Sequence, residues 1–164
     1  MRFLEDIRIG ERTEIGRHTF TAEEIKLFAC RYDPQPFHLD EAAAARSHFG
    51  RLVASGWHTA AVCMRLLVEN RNRVVAAMRA RGEPVAAWGP SPGFRDLKWL
   101  KPVYAGDTIT YATEPLQTRV SHSRPGWGLV FSLNTGTNQH GETAYSFIGS
   151  AFVQRRPGEA APPG

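Results

Sequence analysis

The amino-acid sequence predicts an α+β domain in which an antiparallel sheet wraps around one buried helix. Two observations carry the prediction. Up to about residue 82 the chain shows helix caps and apolar residues at helical spacing, and from Val85 onward the period changes to that of strands. Helices that precede a strand meander argue against a doubly wound sheet, in which the two would alternate. At 164 residues and 42% hydrophobic composition, the chain is sized for one domain whose core folds without staples. That domain is expected over residues 1–153, with a flexible tail over 154–164.

Taken in order, residues 12–20 have strand-like composition. Thr21 and Glu24 then read as a capping box opening a helix over about 22–31, with Ile25, Phe28 and Ala29 on its apolar face. Tyr32 to His38 is expected to be loop, because Pro34 and Pro36 each lack a donor and disfavour helix in the residue before them. Asp40 is placed to cap a short helix over 41–48 that stops near Gly50, and Ser55 to cap a longer one. In that longer helix Ala60, Ala61, Met64, Leu67 and Val68 recur at helical spacing, and the many alanines suggest close burial. Residues 70–82 either extend this central helix or form a separate amphipathic one. Strands follow in the run containing Phe94, Leu97 and Trp99, then at 103–121, 127–138 and 143–153. Turn signals at Lys101-Pro102, Ala105-Gly106-Asp107, Arg124-Pro125-Gly126 and His140-Gly141 separate them.

Composition narrows the function. Two cysteines, Cys30 and Cys63, without a CxxC pair, suggest neither a disulfide framework nor a metal site, and a reducing compartment is the simpler reading. The N-terminal residues offer no apolar targeting core and no stretch is long enough to span a bilayer, so the expectation is a cytoplasmic protein with no membrane contact. The net charge of +4 admits an anionic partner. Nucleic acid is not expected, because the arginines are scattered; only residues 65–81 gather five of them. A merely solvated basic face is the commoner reading, and a small anionic ligand such as a CoA nucleotide lies between the two.

The chemistry-bearing pair is Asp33 and His38. A carboxylate and an imidazole five positions apart can act as general base and acid, provided the chain bends at Pro34–Pro36; fully extended, it would hold them roughly 16 Å apart. By spacing alone, a turn or helix-end aspartate and a surface or packing histidine are the commoner reading. The stretch Tyr32-Asp33-Pro34-Gln35-Pro36-Phe37-His38-Leu39-Asp40-Glu41-Ala42-Ala43, however, resembles the hydratase motif of MaoC-like dehydratases and R-specific enoyl-CoA hydratases. Val53-Ala54-Ser55-Gly56-Trp57 is similar to the same family's entry into its central helix. Trp99 to Thr108 is similar to its strand followed by a P-V-x-x-G-D turn. Together the three cover roughly residues 20–112 in the family's order.

The resemblance implies a hotdog fold, and hydration or dehydration across the α,β double bond of an acyl-CoA thioester. Asp33 and His38 would activate a water that adds at Cβ. Ser55 and Gly56, at the N-terminus of the central helix, would meet the thioester oxygen with free N–H groups and a favourable dipole. A glycine there lets the thioester approach the backbone, or simply relieves crowding. Phe37, Trp57 and His58 are assigned to the substrate pocket, with Trp88 and Phe94 as further candidates; for His58 packing is the competing role. Arg95 and Lys98 are assigned to the CoA phosphates. Gln35 stands where the family commonly has asparagine, and Met64 falls where some members have a serine. No cofactor is implied beyond the CoA of the substrate itself. A homodimer or dimer of dimers is expected, joined along a sheet edge. A thioesterase on the same fold and a non-catalytic acyl-CoA-binding subunit are the alternative readings.

Overall fold

A computed structural model describes residues 1–158 of the chain. Its elements run β1 (Thr13–Thr19), α1 (Ala22–Tyr32), α2 (Pro36–Leu39), α3 (Glu41–Arg46), α4 (Gly56–Ala80), β2 (Phe94–Trp99), β3 (Thr108–Val120), β4 (Trp127–Thr137) and β5 (Thr143–Gln154), after a 3-10 turn at Leu4–Asp6. The strands form one antiparallel sheet in the order β1-β3-β4-β5-β2, so the two earliest strands are its edges. No helix among the described residues is long and apolar enough to cross a membrane.

The main core lies between the sheet and the first half of α4. Val62, Cys63 and Leu66 meet Ile15, Phe20, Ile109, Tyr111, Tyr145 and Phe147 there, and Tyr111 Oη donates to the Thr59 carbonyl at 3.0 Å. A second cluster, Leu4 with Val130 and Val153, closes the other end of the sheet and takes in Trp88. Burial raises the Cys63 thiol to about 12, so it is an inert packing group, while Cys30 is exposed.

Five expectations need correction. Residues 32–38 are not all loop: Tyr32 ends α1, and Pro36 starts α2, where a missing N–H costs nothing because the first helical donors have no intrahelical partner. The short helix α3 ends at Arg46, earlier than Gly50, because the Ser47 hydroxyl turns back onto the Ala44 carbonyl. The buried face of α4 is His58, Thr59, Val62, Cys63 and Leu66; Ala61, Met64 and Val68 are exposed, and Ala60 and Leu67 are partly buried at the margin. Helical spacing alone did not select between these faces, because apolar residues occupy more than half the circumference of α4. Residues 103–107 are a turn, not strand: Asp107 accepts the Tyr104 N–H at 2.8 Å and holds the chain until β3 starts at Thr108. Finally, Gln154 still belongs to β5, and Arg155 and Arg156 pair with Glu5 and Asp6 at 2.9 and 2.6 Å. The remainder of the expected tail, 159–164, lies outside the described residues.

Residues 70–80 are resolved as a continuation of α4. Helix α1 is anchored as the sequence predicts, with the Thr21 side chain accepting the Glu24 N–H and the Glu24 side chain returned to the Thr21 N–H. Because α1 carries Asp33 at its far end, the cap also fixes the base of the site. Thr21→Ala should lower the unfolding free energy by about 1 kcal/mol in urea titrations; no change would show that tertiary packing alone holds the helix.

Candidate active site

Asp33 is the C-cap of α1, its N–H bonded to the Ala29 carbonyl. The chain then turns: the Gln35 N–H returns to the Asp33 carbonyl at 2.8 Å, and the His38 N–H to that of Gln35 at 2.9 Å. That double turn brings His38 Nε2 to 3.4 Å from Asp33 Oδ2. The spacing of five therefore supplies the bend it needs, and the one-turn helix α2 completes it.

The His38 ring is buried, and its Nδ1 lies 2.7 Å from the Val53 carbonyl oxygen. A carbonyl only accepts, so Nδ1 carries the proton and Nε2 presents its lone pair to Asp33 when the ring is neutral. Asp33 is held on both oxygens. The Ser55 hydroxyl donates to Oδ2 at 2.7 Å and the Gln35 amide to Oδ1 at 2.9 Å. Burial works to raise the Asp33 carboxyl, but these bonds and the neighbouring His38 outweigh it and hold the group below its ordinary range.

The pair lines a cavity of about 470 Å³ whose apolar walls include Phe37, Phe49, Trp57, Trp99 and Val103. Gly56 and Thr59 reach it from α4, and Lys101 reaches it from the segment after β2 while paired with Glu142 at 3.0 Å. Of the sequence-assigned residues, Asp33, Phe37, His38, Gly56 and Trp57 converge here. The others do not. Arg95 and Lys98 are exposed on β2 away from the cavity, with Arg95 3.8 Å from Asp96. Trp88 packs in the second core cluster, and Phe94 is exposed beside Phe147. Ser55 is buried behind Asp33, so its proton goes to the carboxylate instead of a thioester.

His58 is likewise a packing residue. Its ring stacks on Phe28 with centroids 4.6 Å apart and meets Phe20 edge-on, and its Nδ1 has no hydrogen-bond partner among the described residues. Burial first, and then the charge of His18, push it down to about 4. At Gly56 crowding by itself requires a glycine, whatever its N–H does: a Cβ would lie 2.5 Å from the Trp99 indole. Trp99 reads in the sequence as a strand residue and Lys101 as part of a turn, with no sign of the cavity, because β2 reaches the N-terminus of α4 through sheet pairing that no local pattern encodes. Among the described residues, no group of three His, Cys, Asp or Glu side chains is placed to hold a metal.

Two measurements follow from this packing. Gly56→Ala should cost about 1–3 kcal/mol as the indole is displaced, and Gly56→Ala/Trp99→Leu should recover most of the lost thermal midpoint; no recovery would show that the Trp99 contact is not what requires the glycine. For His58, the folded form protonates at about 4 and the unfolded form near 6.5, so its contribution is complete above about pH 6.5 and is lost as pH falls toward 4. Urea midpoints at about pH 7.5 and pH 5 should therefore differ less in His58→Phe than in the wild type.

Similarity to known proteins was then compared with this geometry. A family model described as the MaoC like domain matches residues 7–124. The crystal structure of a MaoC-like dehydratase from Rhodospirillum rubrum is 38% identical and superposes with a TM-score of 0.77, covering 96% of this chain and 99% of that one. Protein MaoC of Klebsiella aerogenes is 29% identical over 133 residues, which is 77% of this chain but 36% of that protein; the chain spans about a third of that relative. The R-hydratase PhaJ1 of Pseudomonas aeruginosa, at 21% identity and a TM-score of 0.65 over 99% of this chain and 95% of that one, shares the fold. A five-stranded antiparallel sheet around a long helix is the hotdog fold of these neighbours.

Proposed function

The chain belongs to the family of MaoC-like domains, and from that premise we propose that it is a hydratase or dehydratase acting on the α,β double bond of an acyl-CoA thioester. The carrying observation is the Asp33–His38 pair, 3.4 Å apart on the wall of an apolar cavity, with the tautomer of His38 fixed by Val53. With Nδ1–H committed to that carbonyl, Nε2 and the Asp33 carboxylate are two acceptors facing one another. A water donating one hydrogen to each satisfies both and leaves a lone pair free for Cβ.

The thioester oxygen gathers negative charge as the water adds, and the N-terminus of α4 is suited to receive it. Among the first N–H groups of α4, that of Trp57 is taken by Ser55 Oγ and those of His58 and Thr59 by the Ser55 carbonyl. The Gly56 N–H is the remaining donor for the oxyanion. Lys101, which lines the cavity, is better placed than Arg95 or Lys98 to meet a CoA phosphate. A second copy of the chain is the natural cover for Trp57, Met64 and Val68, exposed along α4, and for the unpaired side of β2; this supports a homodimer whose sites lie near the subunit boundary.

The test follows loss of enoyl-thioester absorbance over a panel of trans-2-enoyl-CoAs. Wild-type turnover should fall by about 10²–10⁴-fold in Asp33→Asn and in His38→Ala variants that remain folded. Release of free CoA from saturated thioesters, with enoyl-CoAs untouched, would establish a thioesterase instead. Binding without turnover would establish an acyl-CoA-binding subunit.

A further inference from the structure

Ser55 has a single proton to donate, and the structure commits it to Asp33 Oδ2 at 2.7 Å. The same oxygen atom of Ser55 accepts the Trp57 N–H at 3.2 Å, at the positive end of α4, which polarises the hydroxyl and strengthens its bond to a carboxylate. Gln35 supplies a separate donor to Oδ1 at 2.9 Å. Each carboxylate oxygen thus has its own protein donor before any ligand enters. A proton arriving on Asp33 would exchange charge-assisted hydrogen bonds for weaker neutral ones and set an O–H against groups that already point their hydrogens inward. His38 has the opposite arrangement, with Nδ1–H satisfied and Nε2 vacant.

We propose that Ser55, assisted by Gln35, is a positioning residue that keeps Asp33 a carboxylate through the whole cycle, so that the proton exchanged in the reaction rests on His38 Nε2. The inference rests on the hydratase reading for its kinetic part only. In hydration, the water oxygen bonds to Cβ as one of its O–H bonds breaks and the proton passes to Nε2. The imidazolium is then stabilised by Asp33 Oδ2 while the thioester holds the negative charge. The proton next leaves Nε2 for Cα, the enolate collapses, and neutral His38 is restored. Atoms and charge balance with no further reactant, and Asp33 never changes protonation state. The titratable groups lining the same cavity are His38 on α2 and Lys101 after β2.

The decisive measurement is a ¹³C NMR titration of the Asp33 carboxyl, assigned through Asp33→Asn, in the wild type, Ser55→Ala, Ser55→Thr and Gln35→Met. Ser55→Gly is included because glycine is tolerated at a helix cap where alanine is not. The Asp33 midpoint should rise by about one pH unit, a tenfold loss of acidity, in Ser55→Ala and Ser55→Gly, rise less in Gln35→Met, and stay near wild type in Ser55→Thr. Where enoyl-CoA turnover is present, kcat/KM in Ser55→Ala and Ser55→Gly should fall through kcat, while KM stays within about twofold. An unchanged midpoint in folded Ser55→Ala or Ser55→Gly overturns the proposal. A midpoint that moves in a protein without turnover leaves the positioning role standing and removes the hydratase reading instead.

Discussion

The site depends on a buried run of extended chain, residues 52–55, lying between α3 and α4. Its backbone is tied to the turn before β3: the Ala54 N–H reaches the Val103 carbonyl at 2.7 Å, the Ala105 N–H reaches that of Leu52, and Val53 pairs with Tyr104. Its other groups face the site. The Val53 carbonyl fixes His38, and the Ser55 side chain fixes Asp33 while capping α4. Buried backbone polar groups must be paired, so this run, with nearly no exposed surface, transmits the position of the sheet directly to the acid–base pair. Asp107 secures the opposite side, with one oxygen on Tyr104 N–H and the other on the Gln139 amide.

Helix α4 then serves two electrostatic ends with one terminus. Its positive end lies close to the Asp33 anion through Ser55, and Gly56 in its first turn lines the cavity. The same field disfavours a charged His58, which burial already keeps neutral against Phe20 and Phe28. Trp99 fills the space over Gly56 and meets Trp57 edge-on at 5.2 Å, so the aromatic wall of the cavity joins β2 to the first turn of α4. The apolar contacts of the wall and the polar contacts of the pair thus converge on the same few backbone atoms.

The order of elements and the caps at Thr21, Asp40 and Ser55 were legible because each depends on chain neighbours within a few positions, whereas the Asp33–His38 pair stood out only through its resemblance to a family motif. What failed was what three-dimensional pairing decides. Ser55 lies 22 positions from Asp33, and only the fold brings its hydroxyl onto the carboxylate. Arg95 and Lys98 had suitable charge and a suitable strand, yet β2 turns them outward while Lys101, beyond the strand end, lines the cavity. The face of α4 was misread for a related reason: apolar residues on an exposed stripe match the helical period as well as those in the core, and the period carries no sign of which side meets the sheet.

The polar and the apolar parts of the cavity lining are therefore held by different parts of the chain. His38 is tied to the Val53 main-chain carbonyl and Asp33 to the Ser55 hydroxyl, so a change of His38, Asp33 or Ser55 alone takes a hydrogen-bond partner from a buried or half-buried group. Phe37, Phe49, Trp57 and Trp99 line the cavity by apolar contact alone, where a change of volume costs packing but no polar bond. Substitution along that wall can reshape the cavity while the pair keeps its geometry. The cavity wall and the Asp33–His38 pair can in this way vary independently on one fold.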